Sequence, residues 1–310
     1  MLVAPLFLSP GLPVGHRAAM VGLPTVEATE LDVDEASELL REYGCVVVRG
    51  LVGASTCQVA SRHVDQRLTE ALRASGHDTT ADVSVPDSEE RIEAQHRHFG
   101  NVLSPSNRRD LKLALADEVR GCLDPMLRVL RPVIAAQLTD DAELCELSAL
   151  IADPGAQSQP LHPDTQITGA HAHCALLTVF LALDDVRADM GPTEVVLRTH
   201  TAEAHAALRE GNRVAQSSPS PASAADAGEA ALIASGYPAP VPAILSAGDA
   251  LLMDSRTIHR GSSNVAERAR RRLAYASFLV PANPPPGSTY SLLEEYAGRF
   301  RLRAHERWRG

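Results

Sequence analysis

Apolar residues recur at helical spacing through much of the N-terminal half of the chain and at strand spacing through most of the C-terminal half. Asp32 followed by Glu35 has the form of a capping box, Ala36, Leu39 and Leu40 supply one apolar face, and Gly44 sits where a helix stops. A short helix is therefore predicted to end at Tyr43. Cys45–Val48 is a β-branched run too short for a helix, and the turn over Gly50–Gly53 precedes a longer helix capped by Ser55 and reaching about Ala74. His77–Asp87 is polar and loop-like, and Arg97–Pro105 is rich in turn formers. From Arg109 to Gln137, Leu111, Leu115, Val119, Cys122, Met126 and Leu130 keep helical spacing, with Pro132 expected to break or bend the helix.

After Glu143 the texture changes to short strands divided by turn signals: Leu144–Ala152, the segment holding His162, Cys174–Leu183, Thr193–Leu197, Ala250–Met253 and Arg271–Val280. Residues 213–242 are rich in Ser, Ala and Pro and read as a flexible insertion. Ser291–Arg299 reads as a short helix. The pattern predicts one domain over 1–310, mainly β with flanking helices, its strands forming an antiparallel barrel or sandwich. An arm (1–27) leads to a helical support with the first strands (28–140), then the β core (141–281), then a C-terminal helix and tail (282–310).

Composition narrows the function classes. At 310 residues the chain can bury one large core, and it has no run of about eighteen apolar residues that would argue for a membrane span. A formal charge of −10 without a long basic run disfavours nucleic acid and anionic membranes, which leaves a small molecule as the expected partner. Met1–Pro13 lacks the basic start and cleavage site of a secretory signal, and the five cysteines are odd in number and mostly set in apolar stretches. Both points favour the cytoplasm. The oligomeric state is left open.

The candidate chemistry begins at His162-Pro163-Asp164. Residues two apart on an extended segment project to the same side, so His162 and Asp164 can share one ion, with His259 arriving from another strand. Two imidazoles and one carboxylate are the ligand set of a non-haem Fe(II) centre with open positions. Pro163 biases His162 to extended backbone and lacks a donor, which places the segment at a sheet rim. His171 and His173 are a rival His-x-His pair, as in a cupin-type metalloenzyme that needs no oxoacid. A β-barrel binding protein without catalysis is a further alternative. In the cluster Arg268, Arg270, Arg271 and Arg272, strand geometry turns Arg271 opposite to Arg270 and Arg272. The member that faces inward would need an anionic partner.

Several phrases then fall in order: Tyr43-Gly44-Cys45-Val46-Val47-Val48-Arg49-Gly50, the His162/Asp164 step, Gly191-Pro192-Thr193-Glu194, Gly248-Asp249 through His259-Arg260-Gly261, and Arg271-Arg272-Leu273-Ala274-Tyr275. Together they resemble the phytanoyl-CoA dioxygenase family of Fe(II)- and 2-oxoglutarate-dependent oxygenases over roughly Ala28 to Pro281. The resemblance implies a double-stranded β-helix (jelly roll) with helices on one outer face. It implies His162, Asp164 and His259 as iron ligands, Arg271 as the partner of the distal carboxylate of 2-oxoglutarate, and Thr193 and Gln159 as further cosubstrate contacts. The implied reaction uses O2 to oxidise, chiefly to hydroxylate, an unactivated C–H bond; desaturation, ring closure and epimerisation are other outcomes of the same chemistry. The Asp164 carboxylate argues against halogenation. Arg271 lies twelve residues beyond His259, where the family spacing is usually eleven, and Arg270 is the rival.

Overall fold

A computed structural model describes residues 22–308 except 85, 104, 170–171 and 217–221, with backbone alone at 215–216 and 222–226. The chain enters through β1 (Thr25–Glu27) and α1 (Val33–Tyr43). Helix α1 forms where the sequence signals it: the Asp32 carboxylate accepts the Glu35 N–H at 2.9 Å, and Gly44, at φ +83°, donates its N–H to Leu40. Then come β2 (Cys45–Arg49), α2 (Ala54–Ala74), α3 (Glu89–His98), β3 (Arg108–Lys112), α4 (Asp117–Gln137) and β4 (Glu143–Ala152). The second half contributes β5 (Leu176–Ala182), β6 (Thr193–Val195), α5 (Ala202–Gln216), α6 (Ala222–Ala234), β7 (Val241–Pro242), β8 (Ala250–Asp254), β9 (His259–Gly261) and β10 (Arg271–Leu279).

The strands make two sheets. The larger runs β1-β2-β8-β5-β10-β4-β3 and the smaller β7-β6-β9. All pairs are antiparallel except β1 with β2. Helices α1, α2 and α4 cover the outer face of the large sheet: Leu40, Leu68, Leu127, Leu130 and Ile134 pack with Val46, Val179, Leu252 and Ala276 in one core. Each such fully buried side chain contributes about 1.5–3 kcal/mol. The inner face meets the small sheet through Phe180, Leu251, Leu273, Tyr275 and Val195. The architecture is the double-stranded β-helix, helices on one outer face.

Several local expectations are corrected. The helix read from Arg109 begins only at Asp117, because Arg108–Lys112 pairs with β4 as strand β3. Helix α4 continues through Pro125 and Pro132, held by the packing of Val133 and Ile134. Gly53, not Ser55, caps α2. The supposed flexible insertion at 213–242 contains α6, which crosses α5 so closely that a Cβ on Gly211 would lie 2.6 Å from the Ala227 carbonyl oxygen. Its Ser-Pro segment, 217–221, falls outside the described residues. The end of the N-terminal arm joins the sheet as β1, while 1–21 are outside the described residues. The C-terminal helix reduces to 3-10 turns at Glu294–Tyr296 and Leu302–Arg307.

Candidate metal centre

The two candidate histidines are fastened to each other by main chain. His162 N–H donates to His259 O at 3.0 Å and His259 N–H donates to His162 O at 2.9 Å, an antiparallel bridge at the barrel mouth. Pro163 follows at the point where the pairing stops. Asp164 is held two residues on, its N–H donating to Ser255 O at 2.9 Å. Each imidazole is oriented by a backbone carbonyl: His162 Nδ1 lies 2.8 Å from Pro160 O and His259 Nδ1 lies 2.9 Å from Thr257 O. A carbonyl only accepts, so Nδ1 carries the proton and Nε2 presents its lone pair. Those Nε2 atoms are 3.8 and 3.6 Å from Asp164 Oδ1, and one ligand atom from each of the three residues lies within 4.8 Å of the others. Burial, reinforced by the neighbouring His259, lowers the His162 pKa and favours the neutral ring.

The cluster opens into a cavity of about 340 Å³ between the sheets. Arg271 lies in its wall, 2% exposed. Its guanidinium donates to Gly191 O at 2.7 Å, while Nε has no partner. Gly191 can turn that carbonyl inward because it sits at φ +72°, where a Cβ would come within 2.6 Å of Ser262 O. Burial, then the charge of Arg108, pulls the Arg271 pKa down to about 9. Arg108 itself is spent on the carbonyls of Gln157, Gly261 and Ser262, bracing both histidine-bearing segments. The neighbouring arginines face away. Arg270 pairs with Asp153 at 2.5 Å and Asp65 at 2.7 Å, and Arg272 pairs with Asp65 and Asp184 at 2.6 and 2.9 Å. Thr193 on β6 is buried and lines the cavity. Gln159 also lines it, but both ends of its amide are engaged: Oε1 accepts Gly261 N–H at 2.8 Å and Nε2 donates to Leu103 O at 3.0 Å.

The opposite stretch of wall has no counterpart among the residues singled out from the sequence. Asp110 on β3 and Glu146 on β4 are 3% and 8% exposed and line the same cavity. Asp110 accepts from Tyr275 Oη at 2.9 Å and Ser291 Oγ at 2.6 Å; Glu146 accepts from Ser277 Oγ and Thr289 Oγ1, each at 2.5 Å. Burial pushes Asp110 up to about 6 and Glu146 to about 7, against the pull of these hydroxyls. For Glu146 the available signal was an acidic residue set between Cys145 and Leu147 in a strand, since unpaired carboxylates are seldom buried; Asp110, between Arg109 and Leu111, carried no such signal.

Other candidates separate from the site. His171 is outside the described residues and His173 is exposed. Two acidic residues of the neighbouring segments are also committed elsewhere, Asp254 to Arg256 at 2.5 Å and Glu194 to Arg260 at 2.7 Å. His205 is 2% exposed and bonded to Arg256 O.

Fold and site together define a double-stranded β-helix protein with a two-histidine, one-carboxylate cluster at the barrel mouth. The family model for phytanoyl-CoA dioxygenase (PhyH) matches residues 40–272. The chain belongs to that family of enzymes. It is 22% identical over 273 residues to the dioxygenase olcK of Penicillium canescens, covering 84% of this chain and 76% of that one. Among solved structures, it resembles the non-heme alpha ketoglutarate dependent carbocyclase SnoK from nogalamycin biosynthesis with TM-score 0.53 and 16% identity, over 82% of this chain and 86% of the other. It also resembles AviO1 from Streptomyces viridochromogenes Tue57, with TM-score 0.52 and 19% identity, over 83% and 98%. At these identities the structural likeness speaks to the fold.

Proposed function

We propose that this protein is an Fe(II)- and 2-oxoglutarate-dependent dioxygenase that hydroxylates an unactivated C–H bond of a small organic molecule, releasing succinate and CO2. The observation that carries the reading is one cavity holding both the His162/Asp164/His259 cluster and a buried arginine with an unpartnered Nε. The donor set fits iron: two neutral imidazole Nε2 atoms and a carboxylate oxygen, with the remaining positions facing the cavity. Arg271 fits the cosubstrate, because a planar guanidinium with no carboxylate partner is suited to a bidentate carboxylate. SnoK, an α-ketoglutarate-dependent carbocyclase built on the same fold, supports the same assignment.

Within that reading His162, His259 and Asp164 would hold the metal, Arg271 would pair with the distal carboxylate of 2-oxoglutarate, and Thr193, which lines the same cavity, would offer it a hydroxyl. Gln159 acts as a staple between the His162 segment and β9 rather than as a free contact. Iron with the oxoacid and O2 bound supplies the oxidising power to break the C–H bond. The protein's share is orientation and exclusion of water, for which Leu150, Leu176 and Phe180 line the cavity. Fe(II) and 2-oxoglutarate mixed with the protein without oxygen should give a weak visible charge-transfer band, lost in His162→Ala. Iron demonstrably bound with no band would sink the oxoacid and leave a metalloenzyme of another kind.

A further inference from the structure

The cavity wall is electrically two-ended. On the inward face of β10, Arg271 stands at one end and Tyr275 and Ser277 toward the other, while β4 sets Ala152 opposite Arg271 and Glu146 opposite Ser277. Asp110, on β3 opposite Leu150, stands by register between the rows of Arg271 and Ser277 and reaches toward the second end through the Tyr275 hydroxyl. Neither carboxylate makes a salt bridge among the described residues; Lys112, the single lysine of the sequence, turns its ammonium to His96 O instead. The same cavity also carries Arg271, 2% exposed and with an Nε that has no partner among the described residues, which points to an occupied cavity.

When Glu146 and Asp110 are both ionised, the direction of the hydrogen bonds they receive is fixed. Ser277 and Thr289 give their single protons to Glu146, Tyr275 and Ser291 give theirs to Asp110, and Thr178, 2.9 Å from Ser277 Oγ, must donate to it. With both carboxyls ionised, the hydroxyls bonded to them have only acceptor lone pairs left for a ligand. A carboxylate or phosphate entering here would face two like charges. A group with several donors and a positive charge would complete both carboxylates, and buried carboxylates without a cation are otherwise costly.

We propose that this end of the cavity is the prime-substrate subsite and that it selects a substrate carrying a protonated amine, held between Glu146 and Asp110. The inference rests on the oxygenase reading for the word substrate, while the preference for a cation stands on the wall itself. At about 340 Å³, near the lower end of the roughly 300–1,000 Å³ of ligand pockets, the cavity must hold cosubstrate and substrate together, so it admits a compact amine-bearing end.

The test uses the full-length protein loaded with Co(II) and 2-oxoglutarate, titrated calorimetrically at neutral pH with three probes that differ only in head group: cyclohexylmethylamine, cyclohexylmethanol and cyclohexanecarboxylate. The amine should bind at least about tenfold more tightly than the alcohol, with no measurable binding of the carboxylate. Glu146→Gln and Asp110→Asn, each nearly isosteric and each checked for an unchanged unfolding temperature, should weaken the amine about tenfold or more. Alcohol or carboxylate binding as tight as the amine's, or amine binding untouched in both variants, overturns the proposal. The anaerobic Fe(II)/2-oxoglutarate band is recorded on the same preparation. Amine selectivity without that band upholds the cationic subsite and removes the oxygenase reading; the band without selectivity does the reverse.

Discussion

Replacing Arg271 by methionine should make the cosubstrate-free protein more stable and, at the same time, blind to 2-oxoglutarate. The guanidinium is 2% exposed, donates to Gly191 O at 2.7 Å, and has no ion pair with a carboxylate among the described residues. Its pKa, drawn down to about 9 by burial and Arg108, means the fold works against the charged form by on the order of 5 kcal/mol. Because a base with a depressed folded pKa carries that penalty in full below the folded value, the penalty is present at neutral pH. It fades as pH rises through about 9 towards the value of a free arginine. Methionine fills similar space, and the orphaned Gly191 carbonyl gives back about 1–3 kcal/mol. The net gain should be about 1–4 kcal/mol, as for other buried charges replaced by apolar side chains. At roughly 2 °C per kcal/mol for a chain of this size, the unfolding temperature of the metal-loaded protein should rise by about 2–8 °C. In the wild type, saturating 2-oxoglutarate should close or reverse this gap, since it supplies the missing anion; in Arg271→Met it should do nothing. Differential scanning calorimetry with and without 2-oxoglutarate, at pH 7 and above 9, reads both halves. A variant that is less stable without cosubstrate, or that still gains stability from it, refutes the argument.

Other predictions concern register and frame. Arg270→Ala, which breaks the pairs with Asp153 and Asp65, should cost about 1–2 kcal/mol in chemical denaturation while leaving 2-oxoglutarate affinity within about twofold, because that side chain faces away from the cavity. Gly44→Ala places a Cβ at φ +83° and 2.4 Å from Thr257 Oγ1, so a loss of at least about 2 kcal/mol is expected, measured by urea unfolding. Arg260→Ala removes the ion pairs to Glu194 on β6 and Glu229 on α6, and hydrogen exchange should speed up in α6 with little change in β10.

The N-terminal helix and β2 were legible because their signals are local: a capping side chain, a left-handed glycine, a β-branched run. The metal cluster was legible for a similar reason, since a His-x-Asp step needs only the two-residue period of extended chain to put both side chains on one side. Strand β3 was not, because Arg108–Lys112 becomes a strand only by pairing with β4, a partner far along the chain. Helix α6 was missed on different grounds. Its alanine-rich sequence shows little apolar periodicity, although alanine is the strongest helix former and Gly211 lets the two helices meet closely. Which of Arg270 and Arg271 faces the cavity depends on which side of β10 looks inward, and that follows from its pairing with β4 and β5. The acidic wall lay furthest from view. Asp110 and Glu146 mean something only once hydroxyls from β10 and from Thr289 and Ser291 are brought against them.

Strand β10 also works as a ruler. From Arg271 to Ser277 it advances about 20 Å at roughly 3.3 Å per residue, and its register against β4 is unbroken until the irregularity at Ser277/Phe278. The separation between the two ends of the cavity is thus graduated in peptide units and can change only in coarse steps. Adding one residue before Ser277 would turn the hydroxyl face outward, and adding two would lengthen the reach by about 7 Å. Relatives that process longer or shorter molecules on this scaffold are therefore expected to keep the strand and rebuild the loops at its ends.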